Sequence, residues 1–298
     1  MYDDVDIPEP ETMWDEHAGR AAVVQAMRMR LMDLDPIVDL KAAVPLGLSE
    51  DDELRWRYQR YIKDFLRGIA SIDDNVGGLL DWLDDRDLAE NTVVVYTSDQ
   101  GFFIGDHGWF DKRLMYEESL SMPFLVRYPA LVEAASSCDE MALNVDVGPT
   151  FLELAGVDVP AEMQGASPVP LPRGESPDGW RRSMYSRSWM HRDGAHDLPA
   201  HHGVRTATHK LICYYNDPLG QPGAHGPADP VEWELFDLEA DPLETANIID
   251  DPASAGVVRE LRIEVDRLQS ELGDAPNESG GPIRERRTAA HRTRRAPR

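Results

Sequence analysis

Between Leu54 and Leu83 the apolar residues Tyr58, Tyr61, Ile62, Phe65, Leu66, Ile69, Ile72, Val76, Leu79, Leu80 and Leu83 recur at intervals of three and four. That spacing sets them on one face of a helix and predicts a long amphipathic α-helix. Asp84, Asp85 and Asp87 close it in a polar turn, and Thr92–Thr97 then reads TVVVYT. An uncharged, β-branched run of this length predicts a strand covered on both faces in a parallel sheet. Such a helix needs a surface for its stripe and such a strand needs cover on two sides. Together they constrain the chain to an α/β sheet layered by helices.

The rest of the chain extends this order. Pro123–Tyr128 (PFLVRY) predicts a second strand, and Asp146–Ala155 a helix ended by Gly156. The first fifty residues hold little periodicity beyond a short helix within Arg20–Leu34 and read as a linking arm. Gly, Pro and Ser crowd positions 164 to 179 and mark a boundary. Beyond it, Ser183–Arg187, Gly203–Thr206, Lys210–Tyr215 and Glu232–Leu238 alternate with turn-rich stretches, as in a small antiparallel sheet. A helix over Ala253–Leu272 follows, and the Pro-, Gly- and Arg-rich remainder reads as a disordered tail. The expected organisation is an arm over 1–50, an α/β domain over 51–165, a sheet-plus-helix subdomain over 175–272 and a tail over 273–298.

Composition excludes several classes of function. The 298 residues are 42% hydrophobic, enough for a core, and carry 30 basic against 55 acidic residues, a formal charge of −25. A surface this acidic repels polyanions, so nucleic acid is not an expected partner. Seven of the last fifteen residues are arginine, so the body is more acidic still, and only Lys41, Lys63, Lys112 and Lys210 are lysines. Cys138 and Cys213 are expected as free, buried thiols. No signal peptide or membrane span is visible, and localisation is left open.

Ligands of open α/β sheets bind beyond the carboxyl ends of strands. The run TVVVYT ends in Ser98-Asp99-Gln100-Gly101. Asp99 and Gln100 are hard oxygen donors suited to Ca²⁺ or Mg²⁺; the residues alone also admit a turn whose Asp caps main-chain amides. The next stretch, GFFIGDHGWFDKRLM, mixes charge, glycine and aromatics. Lys112 is the natural anion contact there, or else a solvated lysine paired with Asp111 or Glu117. His107 reads either as a proton donor or substrate contact or as a structural histidine.

Three stretches, YQRYIKDFLRGIASIDDNVGGLLDWL, ENTVVVYTSDQGFFIGDHGWFDKRLMYEESLSMPFLVRYP and NVDVGPTFLELAGV, with the later WELFDLEADPLETANI, resemble the C-terminal half of type I, formylglycine-dependent sulfatases. The likeness is greatest to bacterial and archaeal enzymes acting on sulfated sugars and runs over residues 1–272. It implies an alkaline-phosphatase-like α/β fold, a sulfuric ester hydrolase and a sulfated carbohydrate substrate. It further implies an active-site Ca²⁺ with Asp99 and Gln100 as two of its ligands, and Lys112 on the sulfate oxygens. His107 would sit near the sulfate or the leaving sugar oxygen, and His191, His202 and Arg205 would approach the substrate pocket.

The sequence departs from that family in two ways. No Cys-x-Pro-x-Arg or Ser-x-Pro-x-Arg motif is present to supply the formylglycine nucleophile, and no Asp-Asp pair follows an N-terminal buried strand. The expectation is a chain that begins after the family's first half and is inactive alone. Two other readings are a complementing half that works with a separately supplied N-terminal half, or as a homo-oligomer, and a related metal-dependent phosphohydrolase.

Overall fold

The computed structural model describes residues 1–169 and 179–274, which form two compact units. The first comprises Met1–Trp14 and Arg30–Arg182, the second Asp15–Met29 and Ser183 onward. The crowded Gly/Pro/Ser stretch falls partly, and the expected tail almost wholly, outside the described residues.

The helices are α1 (Ala22–Ala26), α2 (Glu50–Asp84), α3 (Glu117–Leu120), α4 (Val147–Leu154) and α5 (Ala255–Leu272). The strands are β1 (Val94–Thr97), β2 (Phe103–Ile104), β3 (Phe110–Asp111), β4 (Phe124–Arg127), β5 (Ser183–Ser188), β6 (His201–Thr206), β7 (His209–Tyr214) and β8 (Glu232–Asp237). The helix expected within Arg20–Leu34 is shorter, α1 plus a 3-10 turn at Leu31–Asp33.

The first unit is built on α2. Its first turn holds Glu50, Asp51, Asp52 and Glu53, and the Ser49 hydroxyl accepts from the Asp52 amide at 3.2 Å, so both charge and capping favour the start. Tyr58 and Ile62 are buried with Met13, Leu31, Leu34 and Leu40. The Tyr58 hydroxyl donates to the Pro8 carbonyl at 2.5 Å, and Arg57 Nη1 to the Leu34 carbonyl at 2.7 Å. Residues 1–50 are therefore not a linking arm: they are divided between the two units, and their part of the first packs into its core. Their apolar residues follow no period because the segment is irregular, which hides its burial from a pattern reading.

The expected parallel pairing of TVVVYT is also corrected. β1 pairs with β4 antiparallel, in register Val94↔Arg127 to Thr97↔Phe124, as a two-stranded sheet. An apolar run reports that a strand can be covered, but not the direction of its partner. Val95, Val126, Val147 and Leu154 border an apolar cavity beside α4. Cys138 at its margin is exposed rather than buried, whereas Cys213 in β7 is buried; both are free thiols.

In the second unit β5-β6-β7-β8 form one antiparallel sheet in sequence order. Val204, Leu211 and Leu235 on one face meet Leu261 and Val265 of α5. Helix α5 ends at Gly273 in the left-handed conformation that closes a helix without a Cβ penalty. Toward Asp15–Met29, the Glu234 carboxylate accepts from the Ala21 amide at 2.8 Å and the Arg20 guanidinium lies over the Phe236 ring. Among the described residues, no helix is long and apolar enough to cross a membrane.

Lys210 Nζ and Glu244 Oε1 meet at 2.7 Å with almost no exposed side-chain surface. Removing one charge strands the other in the interior. Glu244→Gln should therefore cost about 3–5 kcal/mol, and adding Lys210→Met should recover most of it. Urea unfolding of the two variants measures both values.

Candidate functional site

β1 delivers its chain into the turn Ser98-Asp99-Gln100-Gly101, and that turn is pressed against α3. The Gly101 amide donates to the Ser119 carbonyl at 2.9 Å. A Cβ at Gly101 would stand 2.0 Å from the Glu118 carbonyl oxygen and 2.5 Å from that of Ser121, so any side chain here drives turn and helix apart. Asp99 is exposed, its Oδ1 accepting from Ser98 Oγ at 3.3 Å and its carbonyl from Asn144 Nδ2 at 3.1 Å. Gln100 is half-buried.

From this turn the chain enters a short hairpin. Phe103 pairs with Asp111 and Ile104 with Phe110, so Lys112 leaves β3 opposite the residue that enters β2, Phe102. Its Nζ lies 5.4 Å from the centre of the Phe102 ring, which stacks on Phe65 of α2. Phe102, which Lys112 faces, is three positions beyond Asp99 in the chain. Asp111 is shared: Lys112 Nζ stands 3.4 Å from its Oδ1 and Arg113 Nε 3.4 Å from its Oδ2. Lys112 keeps 29% of its side-chain surface, enough to meet an anion from solvent.

His107 is placed differently. It lies at the opposite, turn end of the hairpin with φ +54, between Gly105 and Gly108, which also have positive φ. Its amide donates to Thr12 Oγ1 at 2.9 Å, and its ring is enclosed by Phe103, Trp109 and Tyr116 with no exposed surface. Nε2 is 3.6 Å from Glu118 Oε1. Burial, and then the Glu118 charge, raise the Asp106 carboxyl above its ordinary range. The imidazole has no surface open to solvent in this structure. Glu118, Asn144 and Thr12 went unnoticed in the sequence because no spacing rule links them to the turn; only the glycine at 101 hinted at a close neighbour.

The second unit holds the remaining candidates, and it does not gather them. His202 and Arg205 are three apart on β6, so their side chains leave opposite faces of the sheet. The His202 ring lies between Tyr185 and Tyr215. Beside it, Tyr185 Oη and Arg187 Nη1 both bond Asp274, at 2.6 and 2.8 Å, just past the end of α5. Arg205 is half-buried within the ladder, opposite Met184 and Lys210. His191 lies beyond β5, 1% exposed, accepting at Nδ1 from the Ala200 amide, with Nε2 4.0 Å from Asp229 Oδ2. Burial, then the Arg192 charge, lower its pKa.

Known families match both units. A family model described as sulfatase matches residues 14–157, and one described as N-sulphoglucosamine sulphohydrolase, C-terminal, matches residues 105–271. The chain belongs to the sulfatase family. It is 41% identical over 223 residues to an N-acetylglucosamine-6-O-sulfatase of Bacteroides thetaiotaomicron, an alignment covering 74% of this chain and 38% of that protein. It is 30% identical to rat (Rattus norvegicus) arylsulfatase K over 60% of this chain and 30% of that protein. A solved structure in complex with its substrate D-glucosamine-2-N,6-O-disulfate superposes with a TM-score of 0.85 at 33% identity, over 93% of this chain and 62% of that one. The phosphonate monoester hydrolase of Agrobacterium radiobacter, at 21% identity and a TM-score of 0.60 over 74% of this chain and 42% of that one, shares the alkaline-phosphatase-like fold. The sulfatase chain thus spans about two fifths or less of the length of the curated relatives compared.

The histidines of β6 give the second unit a pH response. Burial pushes His201 and His202 down from 6.5 to about 4, with Arg187 adding to the effect at His202. Unfolding frees each to take a proton near pH 6.5, so their stabilising contribution is complete above that pH and is lost as the pH falls toward 4. Urea unfolding near pH 7 and near pH 5 should show His202→Gln losing about 2 kcal/mol less than the parent chain across that interval.

Proposed function

We propose that this chain carries the lysine side and part of the cation site of a sulfuric ester hydrolase acting on sulfated saccharides. The observation that supports it is the hairpin that sets Lys112, 29% exposed, over Phe102, three positions along the chain from Asp99. Cleavage of a sulfate ester builds negative charge on the leaving oxygen and on the sulfuryl oxygens. A fixed ammonium at the mouth of a low-dielectric, aromatic-lined turn stabilises that charge without reorganising. The Lys112 ammonium lies over the Phe102 ring, and Asp111 faces it at 3.4 Å.

The donor set at the end of β1 fits one part of a hard cation's shell. The Asp99 carboxylate and the Gln100 amide oxygen are ligands for Ca²⁺ or Mg²⁺. Among the described residues no group of three or more His, Cys, Asp or Glu side chains is placed to hold a metal ion, so these two are a partial shell. When bound, such a cation supplies Lewis-acid stabilisation of a sulfate oxygen. This chain's residues would hold it from one side, while Gly101 keeps the turn seated on α3.

The saccharide part of the reading leans on the N-acetylglucosamine-6-O-sulfatase and on the solved complex with D-glucosamine-2-N,6-O-disulfate. His191, His202 and Arg205 are proposed to act on the sugar side, each within its own surroundings, and His107 to act by shaping the hairpin. The sequence holds no Cys/Ser-x-Pro-x-Arg motif, so the chain alone is proposed to be inactive and to contribute as one part of a complete site.

Calorimetric titration of the chain with glucosamine 6-sulfate in the presence of Ca²⁺ should show binding that Lys112→Ala weakens about tenfold or more, the loss of one charge-assisted contact. Equal affinity in the two proteins would remove Lys112 from the site. The chain should leave an aryl sulfate unhydrolysed, and turnover abolished by Lys112→Ala would refute inactivity.

A further inference from the structure

In the second unit, the buried ring of His191 faces groups of opposite kind with its two nitrogens. Nδ1 accepts from the Ala200 amide at 3.3 Å, whereas Nε2 stands 4.0 Å from Asp229 Oδ2, and the Pro227 carbonyl is a further acceptor against the ring. A donor on one side and acceptors on the other set the neutral ring with its proton on Nε2.

The ring is part of a stitch between two segments, 191–200 and 216–230. The His191 carbonyl accepts from the His225 amide at 2.8 Å, the Ala200 carbonyl from the Asn216 amide at 3.3 Å, and the Asn216 carbonyl from the Asp229 amide at 2.9 Å. Arg192 Nη2 reaches Asp229 Oδ2 at 2.5 Å. Gly223 and Gly226, both with positive φ, let the second segment close on the Met190 and Arg192 side chains. Ala200 leads straight into β6, so the stitch also fixes where that strand begins.

We infer that His191 is an acid-sensitive latch: a second ring proton, which only Nδ1 can take, sets two N–H donors against each other at Ala200 and releases segment 191–200 from segment 216–230. The charged groups facing the ring are Arg192 from its own segment and Asp217 and Asp229 from the other. Burial, and then the Arg192 charge, outweigh the two carboxylates and hold the ring below 6.5. On the β6 side, His201 Nδ1 donates to the Pro199 carbonyl at 2.9 Å, and that ring takes no proton until about pH 4. Once released, His191 binds a proton near pH 6.5. The latch is therefore fully closed above that pH and loses its hold progressively as the pH falls toward the lower value of the enclosed ring. None of this depends on the chain hydrolysing sulfate esters.

Amide hydrogen exchange of the full chain, read residue by residue by NMR near pH 7 and near pH 5, tests the inference, each rate being divided by that of an unstructured chain at the same pH. The amides of Ala200, Asn216 and His225 should lose about tenfold in protection at the lower pH. They should stay less protected than those of β7 at both, the mark of a local opening. In His191→Asn the Oδ1 atom can accept from Ala200 in place of Nδ1 and does not titrate, so protection should be the same at both pH values. His202→Gln should leave the loss in place. The ring ¹⁵N shifts of the parent chain, which need no variant to fold, should show Nε2 protonated and Nδ1 bare near pH 7. Any of three results overturns the proposal: protection in the parent that does not change with pH, the same loss in His191→Asn, or a proton on Nδ1 near pH 7. The second would assign the response to His196 or His225 of the same segments.

Discussion

The site in the first unit depends on a contact that one methyl group would forbid. The Gly101 amide bonds to α3, and main-chain oxygens of the same helix fill the space a Cβ would need. Because packed interiors do not deform continuously, this contact fixes where the Asp99-Gln100 turn lies and where the hairpin after it begins. Lys112 inherits its place from that starting point. The distance from β1 to the lysine is crossed by two-residue strands and left-handed turns, none of which would hold its shape in isolation.

Residues whose roles are periodic were legible before any coordinates. The stripe of α2 and the alternation in β5 to β8 follow from spacing alone, and the structure forms helix and sheet there. That Asp99 and Gln100 follow a strand end was also legible, and the structure keeps them just past β1. What a sequence does not encode locally was lost. The direction of the strand beside β1 is set by a partner thirty residues on, and apolar character is the same for either direction. Met13, Leu31 and Leu40 are as buried as any core residue, yet their segment has no period to betray it. His107 owes its enclosure to a left-handed turn and three aromatic rings, and the GDHG stretch reads the same with the ring in or out.

The two units use buried charge in different ways. In the second, Lys210 and Glu244 are paired out of water, and Tyr185, Arg187 and Asp274 tie the end of α5 to the sheet. These are fixed arrangements whose value lies in geometry, since paired interior charges cost desolvation that their attraction only partly returns. In the first unit the charges of the hairpin are more exposed and more loosely spaced.

Asp111 shows what that spacing allows. Its two oxygens face Lys112 and Arg113 at equal distances. With Lys112 turned away, the carboxylate would keep a guanidinium already at hand. The carboxylate is shared between an ammonium and a guanidinium, so loss of either partner leaves it still paired.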